Sequence, residues 1–207
     1  MIHTAKTYSD ELLRHLTEQS NLIEREPILG PSFDTHWRAT LLVRTAAEEK
    51  TLLHPRVLHQ LLYEGLPIRN VRGASTDNLL PGDYRPSYLG AYFLRERGSR
   101  KKHFFAEPEK VPVLMRTWWS TAEQALWFGR PAPGNTETRW SFHAWFEAIH
   151  PFVDGNGRVG RLLWWNMTMI MNNDIETITH NERVDYYERL ERWRDANCNK
   201  PDMNPFE

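Results

Sequence analysis

The run "FHAWFEAIHPFVDGNGRVGRLLWWNMTMIM", Phe142 to Met171, carries two apolar helical patterns broken by one short loop. Phe142, Trp145, Phe146 and Ile149 recur at spacings of three, four and seven, the signature of one buried helix face. Pro151 then disfavours continuation of that helix. A second helical pattern resumes at Arg158 and is ended by Asn172 and Asn173. The "GNGRVG" within this run fits the G-x-G-x-x-G dinucleotide pattern, but that fingerprint requires a strand before its glycines. Here the preceding segment is helical, so the setting is helix–loop–helix and the dinucleotide reading falls.

The remaining apolar spacing is also mainly helical. Segments 8–24 (Leu12, Leu13, Leu16, Ile23), 33–50 (Phe33, Trp37, Leu41, Leu42, Thr45) and 111–128 (Val113, Leu114, Trp118, Ala122, Ala125) each show one stripe. A short helix starts at Pro55 and stops at Gly65-Leu66-Pro67, and a last amphipathic helix runs through "NERVDYYERLERWRDA". Between 66 and 110, "PSYLGAYFL" and "KKHFFAEP" flank "RERGSR", which predicts a small β-hairpin with a charged tip. The fold class is all-α with one hairpin. The 207 residues fit one domain, and 40% hydrophobic content with nine Trp supplies a sizeable core. A formal charge of −1 and the lack of a helix-turn-helix pattern argue against a nucleic-acid partner. The single Cys198 leaves no intramolecular disulfide and fits a reducing compartment. The N-terminus lacks a secretory apolar core, and the longest apolar run, Leu162 to Met171, is about half of a bilayer span. A soluble, cytoplasmic protein without a membrane partner is expected.

Several functions fit the loop. Asp154 or Asn156 could simply cap the next helix, with Gly155 and Gly157 relaxing the backbone and His150 a satisfied histidine. Taken together, two glycines around an asparagine at a helix N-terminus free backbone N–H groups for an anion. Arg158 and Arg161, three apart, add guanidinium donors that suit phosphate oxygens. Asp154 alone is a poor metal site, yet with phosphates supplying further oxygens it is an ordinary magnesium ligand. His150 at the mouth of such a cradle is placed to act as general base. A hydrolytic metal site from His143, Glu147, His150 and Asp154 is the other chemical reading. It lacks recognised ligand spacing, and hydrogen bonding along the helix face explains His143 and Glu147 more simply.

"HPFVDGNGRVGR", His150 to Arg161, resembles the Fic-domain signature His-Pro-Phe-x-Asp/Glu-Gly-Asn-Gly-Arg-x-x-Arg at every specified position. "GDYRPSYLG" with "FFAEPEKVPVLMRTW" resembles the Fic flap and the helix after it, and "VDYYERLE" the helix beyond the core. The likeness covers roughly 33–195, leaving 1–32 as an N-terminal segment and 196–207 as a tail. It implies a helical Fic fold and transfer of AMP from ATP to a Ser, Thr or Tyr hydroxyl of a target protein. Residue by residue, it implies His150 as base, Asp154 on Mg2+, Gly155, Asn156 and Gly157 on the α- and β-phosphates, Arg158 near the β-phosphate and Arg161 on the γ-phosphate. Tyr186 or Tyr187 would face the adenine or else the core. The flap would pair with the target's backbone as an added strand. "SNLIERE" resembles the N-terminal (class II) inhibitory pattern, in which Glu24, one turn from Ser20, would pair with Arg161 and block γ-phosphate placement. Arg25 stands where that pattern has Gly or Asn. Alternatives within the likeness are AMP removal, with Glu24 orienting a water, or transfer of another phosphate-containing group. A non-enzymatic nucleotide-responsive interaction module is the alternative from another class. Self-association is compatible with all of these.

Overall fold

The computed structural model of the chain describes residues 6–68, 79–87, 93–94, 103–128 and 136–198. Seven helices account for most of them: α1 (Asp10–Ile23), α2 (Pro31–Glu48), α3 (Pro55–Leu62), α4 (Val111–Phe128), α5 (Thr136–Ile149), α6 (Asn156–Ile170) and α7 (Arg183–Asn197). Strands β1 (Phe93–Leu94) and β2 (His103–Phe104) pair antiparallel, with Phe93 opposite Phe104 and Leu94 opposite His103. The charged tip expected of a hairpin here lies outside the described residues.

Local chemistry explains the starts. Ser9 Oγ accepts from Leu12 N at 3.2 Å, and Asp10 and Glu11 in the first turn of α1 complement the helix dipole. Pro31 and Pro55 open α2 and α3, where no N–H is needed. Three ends share one cap. After α1, Arg25 N donates to Leu22 O and Glu26 N to Asn21 O. After α2, Lys50 and Thr51 repeat the pattern on Ala47 and Ala46, and after α6 Asn172 and Asn173 repeat it on Met169 and Thr168. This is the paired capping bond of a left-handed C′ residue, and Arg25, Lys50 and Asn172 have φ of 61°, 56° and 58°.

Helix α6 is the axis of the core. Every residue from Asn156 to Ile170 except Gly157 is buried, with α1, α2, α3 and α5 packed around it. A helix apolar on all sides belongs in the interior, which accounts for the density of Leu162, Leu163, Trp164, Trp165 and Met167. The helix α2 faces it with small residues, so its buried side is His36, Ala39, Thr40, Val43 and Ala47, not the expected Leu41 and Leu42, which are half-buried. In α4, Leu114, Trp118, Ala122 and Ala125 face inward as expected, but Val113 is exposed. The helix α1 lies on α2 and α6, and its contact with α2 includes two buried polar pairs. Thr17 and Thr40 hydroxyls meet at 2.8 Å, and His36 Nδ1 donates to Asn21 Oδ1 at 2.7 Å. No described helix is long and apolar enough to cross a membrane.

Candidate active site

The loop between α5 and α6 is held from all sides. Asn156 is 2% exposed; its Oδ1 accepts from Phe152 N and its Nδ2 donates to Phe152 O, both at 2.8 Å. The asparagine side chain therefore clamps the loop, with one N–H of its amide spent on Phe152 O. Gly155 opens α6 at φ 76°, and a Cβ there would fall 2.8 Å from the Tyr63 ring. Both the backbone angle and the contact require glycine. His59 Nδ1 accepts from Gly82 N at 2.7 Å, so the ring proton is on Nε2, which lies 3.2 Å from Asp154 O. The ring also stacks on Phe152 at 4.1 Å. Burial, the largest cause, pushes His59 down to about 4, which keeps this neutral tautomer.

His150 follows the last turn of α5 in a left-handed conformation, φ 52°. It is half-buried, its ring is stacked on Phe105 at 3.9 Å, and its Nδ1 is buried with no hydrogen-bond partner. Burial, then the charges of Arg85 and Arg194, hold the imidazole down to about 3. It is therefore an unprotonated acceptor throughout the neutral range. Asp154 Oδ1 accepts from Gly155 N at 2.8 Å, while its Oδ2 is buried without a partner. That orphaned oxygen fits a hard cation completed by ligand oxygens. Among the described residues no group of three or more His, Cys, Asp or Glu could hold a metal by itself. His143 Nε2 instead meets the Tyr186 hydroxyl at 2.9 Å, in keeping with the helix-face reading.

The two arginines point to different partners. Arg158 is 3% exposed, donates to the Tyr63 hydroxyl at 2.8 Å and to Ser32 Oγ at 3.4 Å, and lies over the Tyr63 ring. Arg161, 1% exposed, reaches α1: Nε donates to Ser20 Oγ at 2.8 Å, and Nη2 to Ser20 O at 3.1 Å and to Glu24 Oε1 at 2.8 Å. Its Nη1 donates to the Tyr186 hydroxyl at 3.2 Å. A Cβ on Gly157 would lie 2.1 Å from Glu24 Oε1. The carboxylate thus rests against the N-terminal turn of α6, where freed N–H groups and the helix dipole favour an anion.

Residues 53–167, more than half of the chain, match the Fic/DOC family. The chain belongs to that family. A solved Fic-domain-containing signaling protein from Bacteroides thetaiotaomicron has the same fold, with a TM-score of 0.73 at 18% identity over 95% of this chain and 75% of its own. A Fic family protein from Desulfovibrio desulfuricans gives 0.59 at 24% identity over 95% and 60%. A probable protein adenylyltransferase from Aquifex aeolicus is 43% identical over 49 residues, which span 24% of this chain but only 15% of that protein.

The Fic loop thus gathers His150, Asp154, Gly155, Gly157, Arg158 and Arg161 with Ser20 and Glu24. The two tyrosines part company. Tyr186 is 4% exposed, with its hydroxyl engaged by Arg161 and His143 and its ring edge-on to Trp140. Tyr187 is half-buried beside the Arg183 guanidinium. Sequence reasoning gave no loop contact to His59, Tyr63, Arg85 or Phe105, although the last two lie in the stretches likened to the flap. His59 and Tyr63 did leave a trace: polar groups four apart on the apolar face of the short α3. Arg85 lies in the stretch likened to the flap, but nothing in its spacing pointed to His150.

Proposed function

We propose that this Fic protein transfers AMP from ATP to a hydroxyl of a target protein, and that Glu24 restrains it. The observation that carries the reading is the Glu24 carboxylate seated against Gly157 and paired with Arg161. An internal anion already uses the cradle that a polyphosphate would need. In the proposed reaction the neutral imidazole of His150 takes the proton of the target hydroxyl. The hydroxyl oxygen forms a bond to the α-phosphorus, the bond from that phosphorus to the α–β bridging oxygen breaks, and pyrophosphate leaves. Asp154 is the residue to hold Mg2+, whose charge would offset that of the phosphates. Gly155 and Gly157 amides and Arg158 are assigned to the α- and β-phosphates and Arg161 to the γ-phosphate. Asn156 shapes the loop they share. Of the two tyrosines, Tyr187 is assigned to the adenine and Tyr186 to holding Arg161.

The β1–β2 ladder is the proposed start of a flap on which a target strand adds. The Fic unit is taken as 33–195, with 1–32 carrying the restraining helix and 196–207 a tail. A cytoplasmic setting belongs to the same proposal.

With Glu24 in place, the γ-phosphate meets an occupied cradle and a neutralised Arg161. Glu24→Gly should therefore raise self-labelling from labelled ATP, and adding His150→Ala should abolish it. Equal labelling with and without Glu24 would remove the restraint, and full labelling without His150 would remove the base.

A further inference from the structure

We infer that Arg85 is a positioning residue that holds His150 in place and couples it to the segment carrying β2. The inference rests on the reading of His150 as the general base. Arg85 is 1% exposed, and its guanidinium is bound to backbone carbonyls. Nε donates to His150 O at 2.7 Å, and Nη2 donates to Ile149 O at 3.2 Å and to Ala106 O. Its own N–H donates to Pro151 O at 2.8 Å. One residue therefore engages the carbonyls of Ile149, His150 and Pro151 in succession.

This chemistry is needed here. A helix end leaves carbonyls without intrahelical partners, and a cation complements the dipole. Pro151 prevents α5 from continuing, and His150 turns through φ 52°, a left-handed conformation uncommon outside glycine that contacts to its neighbouring carbonyls help to hold. The same guanidinium reaches the other side of the histidine. Ala106 follows Phe105, whose ring lies 3.9 Å from the His150 imidazole at an interplanar angle of 16°. Arg85 thus holds both the backbone of His150 and the backbone next to the ring on which His150 stacks. Only Phe105 separates β2 from Ala106, so a strand added to the flap would act on His150 through this contact. After burial, the Arg85 charge is the largest influence keeping the imidazole unprotonated. A planar fork can serve several carbonyls at once, whereas an ammonium is a point donor.

The test compares the full chain with its Arg85→Met and Arg85→Lys forms. The first reading is the Hε1–Cε1 NMR resonance of His150, assigned by its loss in His150→Gln and shifted upfield by the Phe105 ring. It should move downfield in Arg85→Met and part-way in Arg85→Lys, while the His143 resonance stays put and reports an intact fold. The second reading is label incorporation from ATP in a Glu24→Gly background. Arg85→Met should lower the saturated rate about 100-fold and leave the half-saturating ATP concentration within about twofold, with partial recovery in Arg85→Lys. A folded Arg85→Met protein with an unmoved His150 resonance, or with the parental rate, overturns the inference. Should Arg85→Met fail to fold, an unmoved resonance in Arg85→Lys overturns it instead. If the resonance moves but the Glu24→Gly parent itself transfers no label, the positioning role stands and the transferase reading falls.

Discussion

Arg25 adopts φ 61° one residue beyond Glu24, where a Cβ crowds the following carbonyl. The inhibitory pattern that this stretch resembles has Gly or Asn there, and the residue occupies the left-handed C′ position that caps α1. Arg25 is exposed and makes the turn without a compensating burial. Glu26, next in the chain, is buried at 7% exposure, so the cluster Glu24-Arg25-Glu26 is not a uniformly solvated patch. Arg25→Gly should stabilise the protein by up to about 1 kcal/mol, after the larger unfolded-state entropy of glycine is counted. Thermal unfolding would show a rise of about 2–4 °C. A fall in the unfolding temperature would mean that the arginine side chain contributes more than the turn costs.

At the scale of the element, the approach of α5 to α6 sets what the site can be. A Cβ on Gly160 would lie 2.3 Å from Glu147 Oε1 and 3.0 Å from His143 Nδ1. The glycine lets two helices with large aromatic faces come close enough for His143 to reach Tyr186 and for Tyr186 to brace Arg161. Gly160→Ala should destabilise by about 1–3 kcal/mol through overpacking, seen as a lower denaturation midpoint at unchanged slope. A neutral effect would show that Glu147 can swing aside. The helix α1 is held differently. Besides its polar contact with α2, its last carbonyls are met by Arg161 at Ser20 and by Arg183 Nε at Ile23, 2.6 Å. A helix fastened by directional bonds keeps Glu24 at a defined distance from the loop.

For the whole molecule, four imidazoles among the described residues, held unprotonated by desolvation, make stability depend on pH. Burial is the largest cause in each case. It holds His59 to about 4, His143 and His150 to about 3, and His36 well below its ordinary value. Unfolding restores values near 6.5. Between about pH 4 and 6.5 the unfolded chain therefore binds more protons than the native one. The stability these groups supply is fully present above pH 6.5 and declines as the pH falls through that window. Each group contributes up to about 1.4 kcal/mol per pH unit. Urea unfolding from pH 7.5 down to pH 4.5 should show an uptake of about two or more protons on unfolding. A flat profile would mean that these histidines protonate in place.

All seven helices were legible because apolar periodicity, prolines and caps are local properties of the chain. The buried face of α2 was not: Leu41 and Leu42 are the more hydrophobic choice, but a helix packed on α1, α3 and α6 buries the small residues that allow close approach. The chemical loop was legible because its residues are contiguous from His150 to Arg161, and the pairing of Glu24 with Arg161 because a family pattern named both ends. Its supports were not. His59, Tyr63, Arg85 and Phe105 lie 45 to 91 positions from His150 in sequence, and only folding brings them to the loop. The same holds for the asparagine and the two tyrosines. The family likeness placed Asn156 near the phosphates, and it named Tyr186 and Tyr187 together. In the folded chain Asn156 bonds both backbone groups of Phe152, and the Tyr186 hydroxyl meets Arg161 and His143. The sequence alone determined which backbone segments are helices and which short stretch is the candidate site, since those depend on neighbours along the chain. The tertiary structure alone decided which polar groups are left unpaired for that chemistry, because that depends on every group that packing brings within hydrogen-bond reach.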